Sequence, residues 1–173
     1  MTLIIDGQSL SLAKIESFIK ENQNVTLSNL SKRKIKKART LIDKWVNSGE
    51  AVYGVTTGFG EFSNIKISQE ETEALQRNLI LSHSAGVGSN LPPLIVKIMM
   101  LLRANALARG NSGIQFETLS ILLEMINHNI IPVIPSQGSV GSSGDLAPLS
   151  HLVLAMIGEG EVQIIKNVLD EKS

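Results

Sequence analysis

The sequence is poor in several residue types, and each shortage excludes a class of protein. None of the 173 residues is cysteine, which excludes disulfide-stapled folds, thiolate nucleophiles and cysteine-ligated metal sites. No apolar run approaches the ~18 residues that span a bilayer, and Asp6 interrupts the apolar N-terminal stretch that a signal peptide needs. These absences favour a cytoplasmic protein without a membrane partner.

An excess of charge of one sign is also absent. The 16 basic and 16 acidic residues cancel, so no nucleic-acid partner is expected. Seven basic residues nevertheless lie between Lys32 and Lys44, and we interpret them as a solvated helix face because no aromatic residues alternate with them. Residues 110–160 contain no Lys or Arg. A stretch this poor in charge cannot form much of a monomer's surface, so we expect more chain or other subunits to cover it.

Apolar residues recur mainly at helical spacing, which predicts a mainly α fold. Helices are expected from residue 12 onward and at about residues 29–48, 68–86, 92–110, 114–127 and 145–157. Ser11 is predicted to cap the first helix, Gly49 to end the second, and residues 68–71 to form a capping box. Short β segments are expected near residues 2–5 and 161–165, and the prolines favour an extended segment at 130–135.

Two glycine-rich loops are the candidate sites. Residues 51–60, AVYGVTTGFG, surround Tyr53, the only tyrosine, and three of the six aromatic residues fall within residues 53–62. Residues 137–144 read QGSVGSSG and precede a helix. Neither loop has the P-loop lysine or the G-x-G-x-x-G spacing, which argues against a phosphate site. A serine-hydrolase elbow around Ser143 needs a glycine two residues later, where Asp145 stands.

The second loop could instead undergo a reaction of its own backbone. In a tightly bent chain, the amide nitrogen of Gly144 can attack the carbonyl carbon of Ser142, because glycine has no Cβ to block the approach. Loss of two waters, the second carrying the Ser143 hydroxyl, would leave the electrophile 4-methylidene-imidazol-5-one (MIO). An ordinary Gly/Ser turn in which Ser142 or Ser143 caps the next helix explains the same residues. Spacing alone leaves both interpretations open.

Four segments resemble, in the same order, segments of the aromatic amino acid ammonia-lyases and aminomutases. They are YGVTTGFG (53–60), NLILSHSAGVG (78–88), LLRANALARGNSG (101–113) and GSVGSSGDLAPLSH (138–151). The resemblance implies that MIO forms from Ser142, Ser143 and Gly144 without an external cofactor. Ser142 stands where the family usually has alanine. Ring closure uses only the carbonyl of that residue, so Ser143 is the serine expected to dehydrate.

The resemblance also implies the fold and the roles of single residues. A mainly helical N-terminal domain is expected at 1–110, leading into a truncated central helical bundle at 111–173. Tyr53 matches the family's catalytic tyrosine, taken as the base that removes the β-proton. His83 matches the residue that contacts the substrate imidazole in histidine-specific members, where phenylalanine-specific members carry an apolar residue. Gly60 and Asp145 are supporting residues, the latter as an anion at a helix N-terminus.

The implied reaction is conversion of L-histidine to urocanate and ammonia within a cytoplasmic homotetramer. Family chains are several times longer, so this chain corresponds to an N-terminal portion and is expected to be inactive alone. The alternatives are a phenylalanine or tyrosine ammonia-lyase or aminomutase, a serine hydrolase using Ser143, and a non-catalytic helical interaction module. The three histidines are dispersed, so no metal site is expected, and His128 and His151 are interpreted as structural.

Overall fold

The computed structural model describes residues 1–57, 69–138, 146–166 and 169, with the side chains of 69–73 outside that description. These residues form the helices α1 (Leu12–Lys20), α2 (Asn29–Ser48), α3 (Gln69–His83), α4 (Pro93–Leu107), α5 (Phe116–Asn127) and α6 (Leu146–Met156). The strands are β1 (Thr2–Ile5), β2 (Asn24–Leu27), β3 (Val87–Asn90), β4 (Ile130–Pro132), β5 (Pro135–Gln137) and β6 (Val162–Ile164). The mainly α fold is confirmed. None of the described helices is long and apolar enough to cross a bilayer.

The first two helices begin and end where local signals predict. Ser11 caps α1, since its Oγ accepts a hydrogen bond from the Lys14 N–H at 3.4 Å. Helix α2 covers the predicted residues and ends at Gly49, whose φ of +65° is the left-handed conformation that glycine adopts readily. Helices α3 and α4 end a few residues earlier than predicted. The expected capping box at 68–71 begins outside the described residues.

The strands form three separate pairs. β1 and β2 run parallel, from Thr2 opposite Asn24 to Ile5 opposite Leu27. β4 and β6 pair antiparallel, which confirms the extended and strand-like segments expected at 130–135 and 161–165. β3 and β5 also pair antiparallel. β2 and β3 were not predicted from the sequence, because strands of four residues with mixed polarity lack a clear alternation.

Helices α4 and α5 and the β1–β2 pair enclose the core. Its most deeply buried apolar side chains, none more than 1% exposed, include Ile5, Phe18, Val96, Met100, Leu101, Leu119, Ile126 and Ile131. Much of the charge-poor stretch is therefore covered by the chain's own helices and strands. Among the described residues of this stretch, Ile121, Leu146 and Ile157 stay 42–47% exposed, and such side chains are where cover from elsewhere is expected. The division of the chain at residue 110 stays a prediction.

A lysine lies inside this core. Lys97 on α4 is 1% exposed, and its Nζ donates hydrogen bonds to Asn22 Oδ1 at 2.9 Å and Asn129 Oδ1 at 2.6 Å. The ammonium also lies 5.0 Å from the centroid of the Phe18 ring, a cation–π distance. Burial lowers the pKa of Lys97. The lysine thus joins the ends of α1 and α5 to α4, whereas Lys34 and Lys37 on the basic face of α2 are exposed as expected.

Candidate functional site

The loop that carries Tyr53 begins with a hydrogen-bonded turn. The backbone N–H of Thr56 donates to the Val52 carbonyl at 3.0 Å, and the N–H of Val52 donates back to Thr56 Oγ1 at 2.9 Å. Gly54 within this turn has a φ of +68°, which explains why a glycine stands there. The Tyr53 side chain is 63% exposed. A shaped loop is therefore confirmed for residues 51–57, and Gly60 lies outside the described residues.

His83 occupies the last turn of α3, as predicted. Its Nδ1 lies 2.8 Å from the Leu79 carbonyl oxygen. Since a carbonyl oxygen can only accept, this contact places a proton on Nδ1 and leaves Nε2 as the acceptor of the neutral ring. The Nδ1 atom also lies 3.2 Å from Ser82 Oγ, so both contacts of this nitrogen are made within the helix that carries it.

The candidate MIO residues Ser142, Ser143 and Gly144, together with Asp145, lie outside the described residues, but the residues on either side are described. A Cβ added to Gly138 would lie 2.8 Å from the Ala147 Cβ and 3.1 Å from the Gly86 Cα. Both flanks of the candidate tripeptide therefore meet at Gly86. Because Gly86 follows His83 by three residues, the structure brings the end of the His83 helix to these flanks.

Strand pairing and helix packing hold this arrangement. β3, which follows Gly86, pairs with β5, which leads toward the tripeptide, and Val87 lies opposite Gln137. Helix α3 packs on α6. An ion pair of 2.8 Å between Arg77 on α3 and Glu159 beyond α6 connects the same two elements. The site is thus assembled from segments 50 to 82 residues apart along the chain.

A histidine that sequence reasoning treated as merely structural lies at the centre of this contact. The backbone N–H of Gly86 donates a hydrogen bond to His151 Nε2 on α6 at 3.1 Å. Burial lowers the pKa of His151, which favours the neutral ring that such an acceptor requires. In the sequence, His151 stands out only as a histidine shortly after the candidate tripeptide. Its contact with Gly86 can be seen only in the folded structure.

The described residues contain no group of three or more His, Asp or Glu side chains placed to hold a metal ion. What they do present is a phenol in a tight turn and an imidazole with a defined tautomer. The second imidazole, at His151, fastens the flanks of the glycine- and serine-rich segment. A phenol can exchange a proton with a small molecule, and an imidazole can orient a polar ring.

Comparisons with known proteins agree on one family. The family model described as aromatic amino acid lyase matches residues 10–173. A histidine ammonia-lyase from Caldanaerobacter subterraneus subsp. tengcongensis is 53% identical over 159 residues, which are 92% of this chain and 31% of that protein. This chain thus spans about a third of the length of such relatives.

Solved structures give the same result at the level of the fold. The crystal structure of histidine ammonia-lyase from Trypanosoma cruzi matches with a TM-score of 0.87 at 41% identity, covering 96% of this chain and 32% of that one. The ergothioneine-degrading enzyme ergothionase from Treponema denticola matches with a TM-score of 0.88 at 34% identity, covering 95% and 33%. Tyrosine aminomutase from Streptomyces globisporus matches with 0.85 at 32%, covering 98% and 32%.

Proposed function

Since this chain belongs to the aromatic amino acid lyase family, we propose that the protein containing it is a histidine ammonia-lyase, a carbon–nitrogen lyase that converts L-histidine to urocanate and ammonia. The observation that carries the substrate assignment is His83, whose Nδ1 is held by its own helix and which precedes by three residues the glycine, Gly86, that the flanks of the candidate MIO segment approach. Identity of about 50% to several histidine ammonia-lyases supports it.

We propose that the MIO group of this family forms here from Ser142, Ser143 and Gly144. The residues fit, because the tripeptide ends in glycine and its flanks are held together at Gly86, which favours the bent path that ring closure needs. When formed, MIO supplies an electrophile that activates the substrate. Asp145 is proposed to support the segment as an anion just before helix α6, where the helix dipole favours negative charge.

The chain's own residues are assigned to binding and proton transfer. His83 accepts a hydrogen bond at Nε2 from the N–H of the substrate imidazole and so orients the ring. Tyr53, as phenolate, takes the β-proton while the bond between Cα and the amine nitrogen breaks, which leaves the double bond of urocanate. This role needs surroundings that favour the phenolate. Gly60 is proposed to shape the Tyr53 loop.

The cyclisation test is the intact mass of the purified protein. A mass lower by two waters is expected, and Ser143→Ala should abolish that loss. Ser142→Ala is the matched control, because only the carbonyl of residue 142 enters the ring, so the loss should persist. An unmodified mass in the full-length protein would overturn the MIO assignment.

The substrate test is urocanate formation by the full-length protein encoded by the gene that carries this chain. L-Histidine, L-phenylalanine, L-tyrosine and ergothioneine are offered in parallel. His83→Leu should raise the KM for histidine, and Tyr53→Phe should lower kcat while leaving the mass loss intact. Turnover of phenylalanine or tyrosine without histidine would favour the other lyases or aminomutases of the family.

Two alternative functions from outside this family would give different results in the same experiments. A serine hydrolase would keep its full mass and react at Ser143 with a fluorophosphonate probe. A non-catalytic interaction module would keep its full mass, leave the probe unreacted and tolerate substitutions in both loops. We further propose a cytoplasmic homotetramer for the full-length protein, checked by light scattering and cell fractionation.

A further inference from the structure

We propose that His151 is a positioning residue, whose neutral imidazole fastens the His83 end of α3 to the flanks of the candidate MIO segment through the backbone N–H of Gly86. The catalytic consequence rests on the proposed function, but the contact itself can be tested without activity.

The geometry leaves little freedom at this contact. The Gly86 N–H donates to His151 Nε2 across 65 residues of sequence at 3.1 Å. A Cβ on residue 86 would lie 2.9 Å from that nitrogen and 3.0 Å from the Pro135 Cβ, so a larger residue would have to displace the imidazole or strand β5. Glycine fits between the imidazole and strand β5 without such a shift.

The same glycine connects the two functional segments. Toward the N-terminus, Gly86 is three residues from His83, and toward the C-terminus it leads directly into β3. Across the contact, His151 lies on α6, the helix that begins at Leu146 after the candidate tripeptide. Displacement of Gly86 would therefore move the imidazole-binding side chain relative to the segment expected to carry the electrophile.

The contact depends on the protonation state of His151. Nε2 can accept the Gly86 N–H only when it carries no proton, and burial lowers the pKa of His151. Of the elements packed against His151, helix α3 carries His83 and Arg77, the latter paired with Glu159, and its first turns also carry Glu70, Glu71 and Glu73. Strands β3, β4 and β5 carry none. The contact is therefore complete above the pKa of an exposed histidine and is lost as the pH falls through the lowered, folded-state pKa.

Two variants of His151 distinguish the loss of a hydrogen-bond acceptor from a change in side-chain volume. His151→Leu fills similar space without an acceptor, whereas His151→Gln keeps an amide oxygen that accepts at every pH. In the full-length protein, His151→Leu should raise the KM for L-histidine about tenfold, because the partly buried Gly86 N–H loses its acceptor, with a much smaller change in kcat. His151→Gln should stay within about threefold of wild type and should lose the rise in KM that wild type shows at acidic pH.

Hydrogen–deuterium exchange tests the contact directly. Peptides that contain Gly86 should exchange faster in His151→Leu than in wild type or His151→Gln, while peptides from α5 stay equally protected in all three. Equal exchange around Gly86 in all three proteins, or a glutamine variant as impaired as the leucine variant, would overturn the proposal. Faster exchange in a protein that does not turn over histidine would sink the proposed function and leave the positioning role intact. If the leucine variant fails to fold, the pH profile of the glutamine variant decides.

Discussion

Helices α4 and α5 bury many side chains in the core, whereas helices α3 and α6 bury few. Helix α4 buries six of its 15 residues, among them Val96, Met100 and Leu101, which are 0% exposed. Residues 74–83 of α3 include none that is buried, and α6 buries only Ala147 and Leu152. The candidate site is carried by the second pair. Apolar burial thus stabilises one pair, whereas hydrogen bonds and close glycine contacts position the other.

The largest expected difference between the two pairs is the cost of removing a leucine side chain. Leu119→Ala on α5 removes a side chain that is 0% exposed and should lower the free energy of unfolding by about 3 kcal/mol, from lost burial and the cavity left behind. Leu81→Ala on α3, where the side chain is 38% exposed, should cost less than about 1 kcal/mol. Urea unfolding of the two variants measures both, and equal losses would contradict the division between the pairs.

The next effect concerns Lys97, the polar group within the buried pair. Lys97→Ala should cost about 2 kcal/mol, because Asn129 loses a hydrogen-bond partner inside the core and the exposed Asn22 loses one at its edge. Burial lowers the pKa of Lys97, so between that pKa and the unfolded value of about 10.4 the unfolded chain binds more protons and stability rises with pH. Lys97→Met should remove that rise. Unfolding of wild type and both variants at neutral and alkaline pH measures it, and identical pH slopes for wild type and methionine variant would refute the link.

Gly113 and Gly49 both have a positive φ, but only Gly113 is in close contact with another part of the chain. Gly113, before α5, has a φ of +69°, and Gly49, before the Tyr53 turn, has a φ of +65°. An added Cβ would meet the Ile42 Cγ1 at 2.3 Å in the first case and nothing within 4 Å in the second. Gly49→Ala should therefore cost about 1 kcal/mol from backbone strain alone, and Gly113→Ala about 1–2 kcal/mol more. Thermal unfolding of both variants tests this, and equal melting temperatures would show that the connector at Gly113 yields to the extra methyl group.

The smallest effect belongs to the ion pair that links α3 to the segment after α6. The Arg77 and Glu159 side chains are 56% and 34% exposed, and such pairs contribute about 0.2–1 kcal/mol. Arg77→Met should lower stability by no more than that, and the difference should vanish at high salt. Arg39→Met, which breaks a pair inside α2, is the matched control. A loss from Arg77→Met that persists in high salt would mean that the arginine packs against α6 rather than only pairing with it.

Local signals and long-range contacts differ in how far the sequence predicts them. The bounds of α2 could be predicted because Asn29 to Ser48 lie between a side-chain cap and a glycine stop, both readable within a few residues. The turn at Tyr53 could be predicted for the same reason. Strands β2 and β3 could not, because their pairing with distant segments, not their own composition, makes them strands.

In the candidate site, too, contacts between distant residues could not be predicted from the sequence. The roles of Tyr53 and His83 are predictions from their matches to the family, whereas the partner of His151 could not be predicted at all, because Gly86 is 65 residues away. The burial of Lys97 was not predicted either. It lies on a helix whose neighbouring apolar residues give no sign that a lysine between them is buried beside two asparagines.

The meeting of distant segments at Gly86 also sets an order of events in time. Closing a loop of 65 residues costs chain entropy that is recovered only when the packed elements on both sides have formed. If ring closure at Ser142 to Gly144 needs the flanks held at Gly86, the covalent step must come after folding and cannot occur in the nascent or unfolded chain. When newly made chain that still has its full mass is allowed to fold, native structure would then form first, and the loss of two waters would follow as a slower, first-order process.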